Sequence, residues 1–163
     1  MGRGLIGAAL AVWVAGLPAC GGKPVDIGKA LRVTDVTTGW FDAGIVEGNK
    51  NKLVPSVAFR LKNAGEPFSG SVQINAVFRR LGETEEWGSA LIRAVDSNGL
   101  SAGAVTSPIV LRASLGYTGT QRRNELLQNK LFVDAKVQLF AKHGALQWAK
   151  LGEYRVDRQL LTH

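Results

Sequence analysis

Apolar and polar residues alternate along much of the chain, most clearly in two runs near its middle. Residues 57–62 read Val-Ala-Phe-Arg-Leu-Lys, and residues 72–79 read Val-Gln-Ile-Asn-Ala-Val-Phe-Arg. Successive side chains of a strand point to opposite sides of its sheet, so each run predicts a strand with one buried face. Turn-forming residues at 63–67 separate the runs, and we expect the two strands to be antiparallel neighbours.

The segment before these runs has a less regular pattern. Leu31, Val33 and Val36 predict a first strand with a bulge, because Val36 is displaced by one position from strict alternation. The segment 38–54 contains three glycines and the polar run Asn-Lys-Asn-Lys. We expect a long loop there, with room for a short strand.

The segment after the two clear runs predicts two further strands and a short helical crossover. The strands are expected at 87–95 and 106–113, with Pro108 placing the second at a sheet edge. Between 118 and 130, Thr120 is the expected cap of a helical turn. The two leucines of that turn, Leu126 and Leu127, are expected to reach the core.

The last part of the chain predicts a hairpin. Residues 133–140 alternate, residues 146–154 form the returning strand, and His143-Gly144 occupies the position of a two-residue turn. Glycine adopts a positive φ freely and histidine does so more readily than most residues. We therefore interpret His143 as a turn residue rather than a catalytic one.

These elements together define an all-β fold. About seven strands with one short helical crossover favour an immunoglobulin-like antiparallel β-sandwich, and an open antiparallel barrel is the main rival. The length of 163 residues suits a single domain, and an apolar content of 45% is enough for a buried core.

The first twenty residues have the parts of an export signal. Met1-Gly2-Arg3 carries one positive charge, and the apolar stretch 5–14 is too short to remain as a membrane-spanning anchor. The only cysteine, Cys20, follows directly and has no partner for an internal disulfide. An ordinary secretory leader with a cysteine near its cleavage site is the alternative interpretation.

The residues Leu17-Pro18-Ala19-Cys20 resemble the lipobox of bacterial lipoproteins. The resemblance implies a signal peptide at 1–19, a lipidated tether at 20–28 starting with acylated Cys20, and a β-sandwich domain at 29–163. Lipidation would attach the protein to a membrane, because acyl chains partition into the bilayer. Gly21 stands where many lipoproteins retained at the inner membrane have Asp, so the resemblance favours the outer membrane, facing the periplasm.

The segment 59–80 loosely resembles small bacterial envelope modules of the FxLYD and CARDB class. In those modules an apolar strand ends in Asn-x-Gly, here Asn63-Ala64-Gly65, before a strand rich in Val and aromatic residues. The resemblance implies the sandwich fold and transfers no catalytic residue.

The sequence contains few residues suited to catalysis. Its only histidines are His143 and His163, with no closely spaced Cys or His that would suggest zinc. The acidic cluster Glu83, Glu85 and Glu86 is interpreted as a solvated hairpin tip, with cation binding as the alternative. We expect no enzymatic activity, no catalytic residues, no cofactor and no metal.

The chain carries a formal net charge of +7, with a pI near 9.9. A basic exported domain attracts anionic lipid or acidic wall polymers, whereas nucleic acid is not expected outside the cytoplasm. The candidate interaction residues are two arginine pairs and one aromatic pair: Arg79, Arg80, Arg122, Arg123, Trp40 and Phe41. Outward cations that only maintain solubility, and aromatic residues that only pack the open end of the sandwich, are the alternatives.

Two functions remain open at the level of sequence. The first is a non-enzymatic, lipid-anchored envelope module that binds a partner protein or stiffens an assembly, as an accessory of a transport or secretion complex. The second is a carrier or sensor of a small amphiphile or anionic envelope lipid, held between the sheets.

Overall fold

A computed structural model of the chain describes residues 25–161. Within this range, nine strands and two short helices form one sandwich. The elements are α1 Ile27–Ala30, β1 Leu31–Val46, β2 Lys50–Asn63, β3 Val72–Arg80, β4 Gly88–Val95, β5 Ile109–Arg112, β6 Tyr117–Gly119, α2 Arg123–Gln128, β7 Ala135–His143, β8 Ala149–Arg155 and β9 Leu160–Leu161. The predicted leader and Cys20 lie outside the described residues.

The strands form two separate sheets. Sheet I has the order β5-β2-β1-β9, with β6 also paired to β2, and sheet II has the order β4-β3-β7-β8. In this order β1, β2 and β5 share one sheet while β3, β7 and β8 share the other, as in immunoglobulin-like sandwiches. The all-β immunoglobulin-like fold is therefore confirmed, and the barrel is not formed.

The segment 38–54 is a strand hairpin, so the predicted long loop is wrong. β1 and β2 pair along almost their whole length and turn at Gly48 and Asn49, which both have positive φ. The predicted bulge in β1 is confirmed between Thr34 and Thr37, where Asp35 has φ 53°. Gly39 of β1 pairs with Ser56 of β2, and glycine is required there because a Cβ would lie 2.8 Å from the side chain of Leu161 in β9. That long-range contact cannot be read from the local sequence.

The strands that contain the two clearest runs are not neighbours, contrary to the prediction. β2 lies in sheet I and β3 in sheet II, so the connection 64–71 crosses between the sheets. Asn63, at the end of β2, is fully buried, and its Nδ2 donates to the carbonyls of Glu66 and Leu100 at 3.0 and 2.9 Å. This buried amide holds the crossover against the loop that follows β4.

Three other predictions need adjustment. α2 buries Leu126 and Leu127 as expected, but it starts after Arg122 rather than Thr120. His143 ends β7 and does not have a positive φ, and the turn that follows covers residues 144–148. The predicted tether extends into α1, because Ile27 is buried in the core.

The inner faces of the two sheets form one apolar core. One end of it, which we call the aromatic end, contains Trp40, Trp87, Tyr117 and Phe132. The ring of Trp40 lies 6.1, 5.7 and 4.6 Å from the rings of Trp87, Tyr117 and Phe132. Burial of large aromatic surfaces is a major source of stability, so this cluster closes the core at that end.

Within residues 25–161, neither helix is long and apolar enough to cross a membrane.

Candidate functional site

The outer face of sheet II is a continuous four-stranded surface rich in cations. We define it by the outward residues of β4, β3, β7 and β8. Strand register places side chains opposite one another in rows, because directly paired residues share a face of the sheet. From one end of the sheet to the other, the rows are Arg93-Gln73-Lys142, Leu91-Asn75-Phe140-Lys150, Ser89-Val77-Gln138-Glu153 and Arg79-Lys136-Arg155.

The charge of this face is strongly one-sided. Six cations stand against two carboxylates: that of Glu153, and that of Asp134 just before β7, which forms an ion pair with Arg155. Arg3 and Lys23 precede the described residues, so residues 25–161 have an excess of five cations. With both carboxylates counted, this face has an excess of four cations. The outer face of sheet I also carries cations, including Arg32 and Lys62. In the net charge of the domain, these cations are balanced by carboxylates elsewhere in the sequence. The outer face of sheet II therefore accounts for most of the net charge of the domain.

Glu153 organises the cations at the centre of the face. Its carboxylate accepts hydrogen bonds from Lys150 Nζ at 2.8 Å, Gln138 Nε2 at 2.7 Å and Lys136 Nζ at 3.1 Å. Hydrogen bonds from Lys150, Gln138 and Lys136 lower the pKa of Glu153 to about 2. The carboxylate stays ionised at any physiological pH, which holds the two lysines at fixed positions.

The first predicted pair, Arg79 and Arg80, is divided between the two sides of β3. Arg79 lies on the outer face of sheet II, where its Nε donates to the Thr84 carbonyl at 2.8 Å and its guanidinium bonds Gln138. Arg80 points to the other side of β3, and its guanidinium carbon lies 5.0 Å from the ring centroid of Trp87. The pair is therefore split between the outer face and the aromatic end.

The second arginine pair lies beside sheet I. The backbone N–H of Arg122 donates to Glu125 at 3.3 Å at the start of α2. Arg123 forms an ion pair with Asp42 of β1, and this hydrogen bond lowers the pKa of Asp42. Arg123 thus fastens α2 to sheet I, Arg122 caps α2, and neither residue is part of the outer face of sheet II.

The predicted aromatic contact pair is also divided. Trp40 is 0% exposed, so its assignment to an interaction surface is wrong, and its packing role across the end of the sandwich is the one observed. Phe41 is half-buried, with the guanidinium carbon of Arg112 3.5 Å from its ring centroid. Alternation along β1 turns these neighbouring rings to opposite sides of sheet I.

Several residues of the face were missed as sites although their signal was present. The outward positions of β7 and β8 carry Lys136, Lys142, Lys150 and Arg155, and alternation alone places the first two on one side. A search for adjacent charge pairs overlooks residues two positions apart, which are the ones that share a face. Arg93 joins them only through the pairing of β4 with β3.

The two groups considered for catalysis lie at opposite ends of sheet II and do not form a common site. His143 Nε2 donates to the Ser69 carbonyl at 2.8 Å, and its ring packs against Phe68. Glu83, Glu85 and Glu86 are exposed in the turn between β3 and β4. Within the described residues, no three His, Cys, Asp or Glu side chains lie close enough to hold a metal ion.

No family model and no curated protein matches the chain. A solved structure of similar shape is the X-ray structure of Northeast Structural Genomics Consortium target SoR45. It shares 13% sequence identity with this chain, covers 80% of this chain and 88% of its own, and gives a TM-score of 0.44. The strand order of this chain itself places the domain among the immunoglobulin-like β-sandwiches.

Proposed function

We propose that the protein is a non-enzymatic, lipid-anchored cell-envelope module that binds an acidic partner protein through the outer face of sheet II. The observation that carries the proposal is the concentration of six cations on this face. Cations of fixed geometry favour association with an anionic surface and accelerate the encounter. The amides of Gln73 and Asn75 between the cations offer donors and acceptors to a partner.

The anchor in this proposal is supported by the sequence Leu17-Pro18-Ala19-Cys20 and by the absence of another cysteine in the chain. The proposed location is the periplasmic side of the outer membrane. Labelling cells with a fatty acid tests the anchor: the wild-type chain should take up label, and Cys20→Ala should not. Equal labelling of both proteins would contradict it.

The alternative role as an amphiphile carrier is less well supported. A ligand between the sheets needs space there, whereas Val57, Phe59, Ile74 and Leu139 occupy the inner faces and are almost completely buried. A close-packed interior has few voids larger than a water molecule. The outer face is the better candidate for binding.

Photocrosslinking in intact cells tests the outer face of sheet II directly. A photoreactive residue at Asn75, in the middle of the face, should give a protein adduct. The same residue at Ala58, on the outer face of sheet I, should not. Adducts from Ala58 alone, or from neither site, would contradict the proposal.

A pair of double variants then tests the role of charge. Arg79→Gln with Lys136→Gln removes two facing cations of the binding face, and Arg32→Gln with Lys62→Gln removes two facing cations of sheet I. The double variant of sheet II should reduce the yield of the adduct formed from position 75 about tenfold, and the double variant of sheet I should leave that yield unchanged. An equal loss in both would show that only the total charge matters.

A further inference from the structure

We infer that the turn between β7 and β8 docks on a bilayer surface containing anionic lipid. We call residues 142–150, which include this turn and the two flanking lysines, the β7–β8 tip. This inference rests on the proposed lipid anchor and adds how the anchored domain is oriented. The occupant to which it commits is the membrane itself.

The first support is the composition of the β7–β8 tip. Residues 144–148 are all exposed, and two of them are large and apolar: Leu146 is 43% exposed and Trp148 is 41% exposed. Lys142 Nζ lies 5.9 Å from the Trp148 ring centroid, and Lys150 follows two residues later. Tryptophan is enriched at membrane–water interfaces, and lysine close to an anionic bilayer is attracted to its headgroups.

The second support is the position of the tip relative to the proposed anchor. α1 packs at the same end of the domain, where a Cβ on Gly28 would lie 3.2 Å from the Ala149 side chain. Five residue steps separate Cys20 from Val25, so their Cα atoms are at most about 17 Å apart. An acylated Cys20 therefore holds this end of the sandwich next to the bilayer.

The third support is the rigid attachment of the tip. His143 Nε2 donates to the Ser69 carbonyl at 2.8 Å, and the Gly144 N–H donates to the Ser71 carbonyl at 3.1 Å. Within the turn, the Leu146 N–H donates to the His143 carbonyl at 3.0 Å. A turn fixed in this way presents Leu146 and Trp148 without first losing conformational freedom, which favours binding.

Carboxylates at this end do not cancel the attraction. Asp26 is paired with Lys29 at 3.3 Å, and Glu153 is held by its lysines on the sheet surface. Glu66 and Asp96 follow β2 and β4, neither of which is a neighbour of β8. The tip therefore meets an anionic surface with Lys142 available.

The test uses a fluorescent probe of polarity attached to an introduced cysteine. In the lipidated protein the thiol of Cys20 is blocked, so Ala145→Cys supplies a unique thiol in the tip and Leu131→Cys supplies one at the aromatic end. Leu131 is 85% exposed, which makes it a matched water-facing control. The proteins are reconstituted in vesicles of phosphatidylcholine with about one third phosphatidylglycerol.

For the probe at 145, we expect the fluorescence emission to shift to the blue and to be quenched by quenchers attached to the lipid. For the probe at 131, we expect neither change. The double variant Lys142→Gln with Leu146→Ser should reduce the fraction of protein whose probe at 145 lies in the bilayer at least about fivefold. The same changes at the other end, Lys130→Gln with Leu131→Ser, should leave this fraction unchanged. A probe at 145 that stays in water would overturn the inference.

Failure of the anchor would be seen separately. In that case the unmodified chain itself reacts with the thiol reagent at Cys20. Cys20 is then replaced by Ser, and the probes at 145 and 131 are measured again in the same vesicles. Their fluorescence shows whether the tip docks without the anchor. Immersion of the probe at 145 without acylation would support docking and contradict the anchor, and no immersion would contradict docking.

Discussion

The aromatic end and the β7–β8 tip lie at opposite ends of the sandwich, and tryptophan has opposite environments in them. Trp40 is completely buried among Trp87, Tyr117 and Phe132, whereas Trp148 is 41% exposed beside Lys142. At the aromatic end, Arg158 adds hydrogen bonds to the carbonyls of Leu127 and Phe132. One end thus buries its large side chains in the core, and the other leaves them exposed at the surface.

The largest expected effect comes from breaking the aromatic end. Trp40→Ala should lower the free energy of unfolding by about 4 kcal/mol, because it leaves a cavity under three aromatic rings. Trp148→Ala should cost less than about 1 kcal/mol, because its ring is partly solvated already. Urea unfolding followed by circular dichroism measures both. Equal losses would mean that the two ends do not differ.

A second variant of Trp40 separates volume from polarity. The indole Nε1 of Trp40 is buried with no hydrogen-bond partner among the described residues. Trp40→Phe loses no satisfied hydrogen bond, so it should cost about half as much as Trp40→Ala.

The next effect concerns how the tip end is held together. Asn63→Ala should lower the free energy of unfolding by about 3 kcal/mol, because it removes a fully buried amide that donates to the carbonyls of Glu66 and Leu100 and accepts from the Gly65 N–H. Asn75→Ala, on the outer face of sheet II, is the matched control and should change stability by less than about 0.5 kcal/mol. A small effect of Asn63→Ala would show that the crossover is stabilised by packing alone.

A glycine pair sharpens the comparison further. Gly70 and Gly82 have φ of +99° and +85°, but a Cβ on Gly70 would lie 2.9 Å from His143 Nε2, whereas a Cβ on Gly82 meets nothing within 4 Å. Both alanine variants should lose about 1 kcal/mol through backbone strain. Gly70→Ala should lose more, and amide hydrogen exchange at Gly144 and Leu146 should accelerate only in that variant. Equal exchange in both would show that His143 does not hold the tip.

The smallest expected effect on the free energy of unfolding at neutral pH comes from ionised carboxylates. Burial raises the pKa of Asp134, but hydrogen bonds and charge from Arg158 and Arg155 outweigh it, so the pKa is lowered overall. The pKa of Glu153 is lowered to about 2. A lowered pKa in the folded state stabilises it above the ordinary carboxyl pKa and loses that effect as the pH falls.

Stability should therefore be constant from about pH 7 to 5 and decrease between about pH 4.5 and 2 as these carboxylates are protonated. Glu153→Gln should make this decrease shallower, as measured by thermal unfolding at each pH. The matched variant Glu85→Gln, in the exposed β3–β4 turn, should leave the slope unchanged. An unaltered slope in Glu153→Gln would contradict the role of the lysine cluster.

Local patterns were sufficient for the four strands of sheet II and for the class of fold. Alternation in β3 and β7 correctly separated inward from outward residues, and the displaced Val36 correctly indicated a bulge. The same alternation predicts that Lys136 and Lys142 lie on one side of β7, the outer face of sheet II. Alternation does not reveal the order of the strands across a sheet.

The errors share one physical cause, which is contact between distant segments. Turn residues after β2 are equally compatible with a hairpin and with a crossover between sheets, and the choice depends on where β3 finds its partner β7. The aromatic end joins four separate segments, so no local pattern identifies Trp40 as buried. The glycine at 39 reads as a loop signal, although it is required by β9 packing against β1.

The length of β1 has a mechanical consequence. This strand starts next to α1 at the tip end and continues past Trp40 at the aromatic end, pairing with β2 along twelve residue pairs. A pull on the aromatic end against an anchor at the other end would act parallel to these strands. The ladder would then resist in shear, with many hydrogen bonds sharing the force at once, rather than opening one bond at a time.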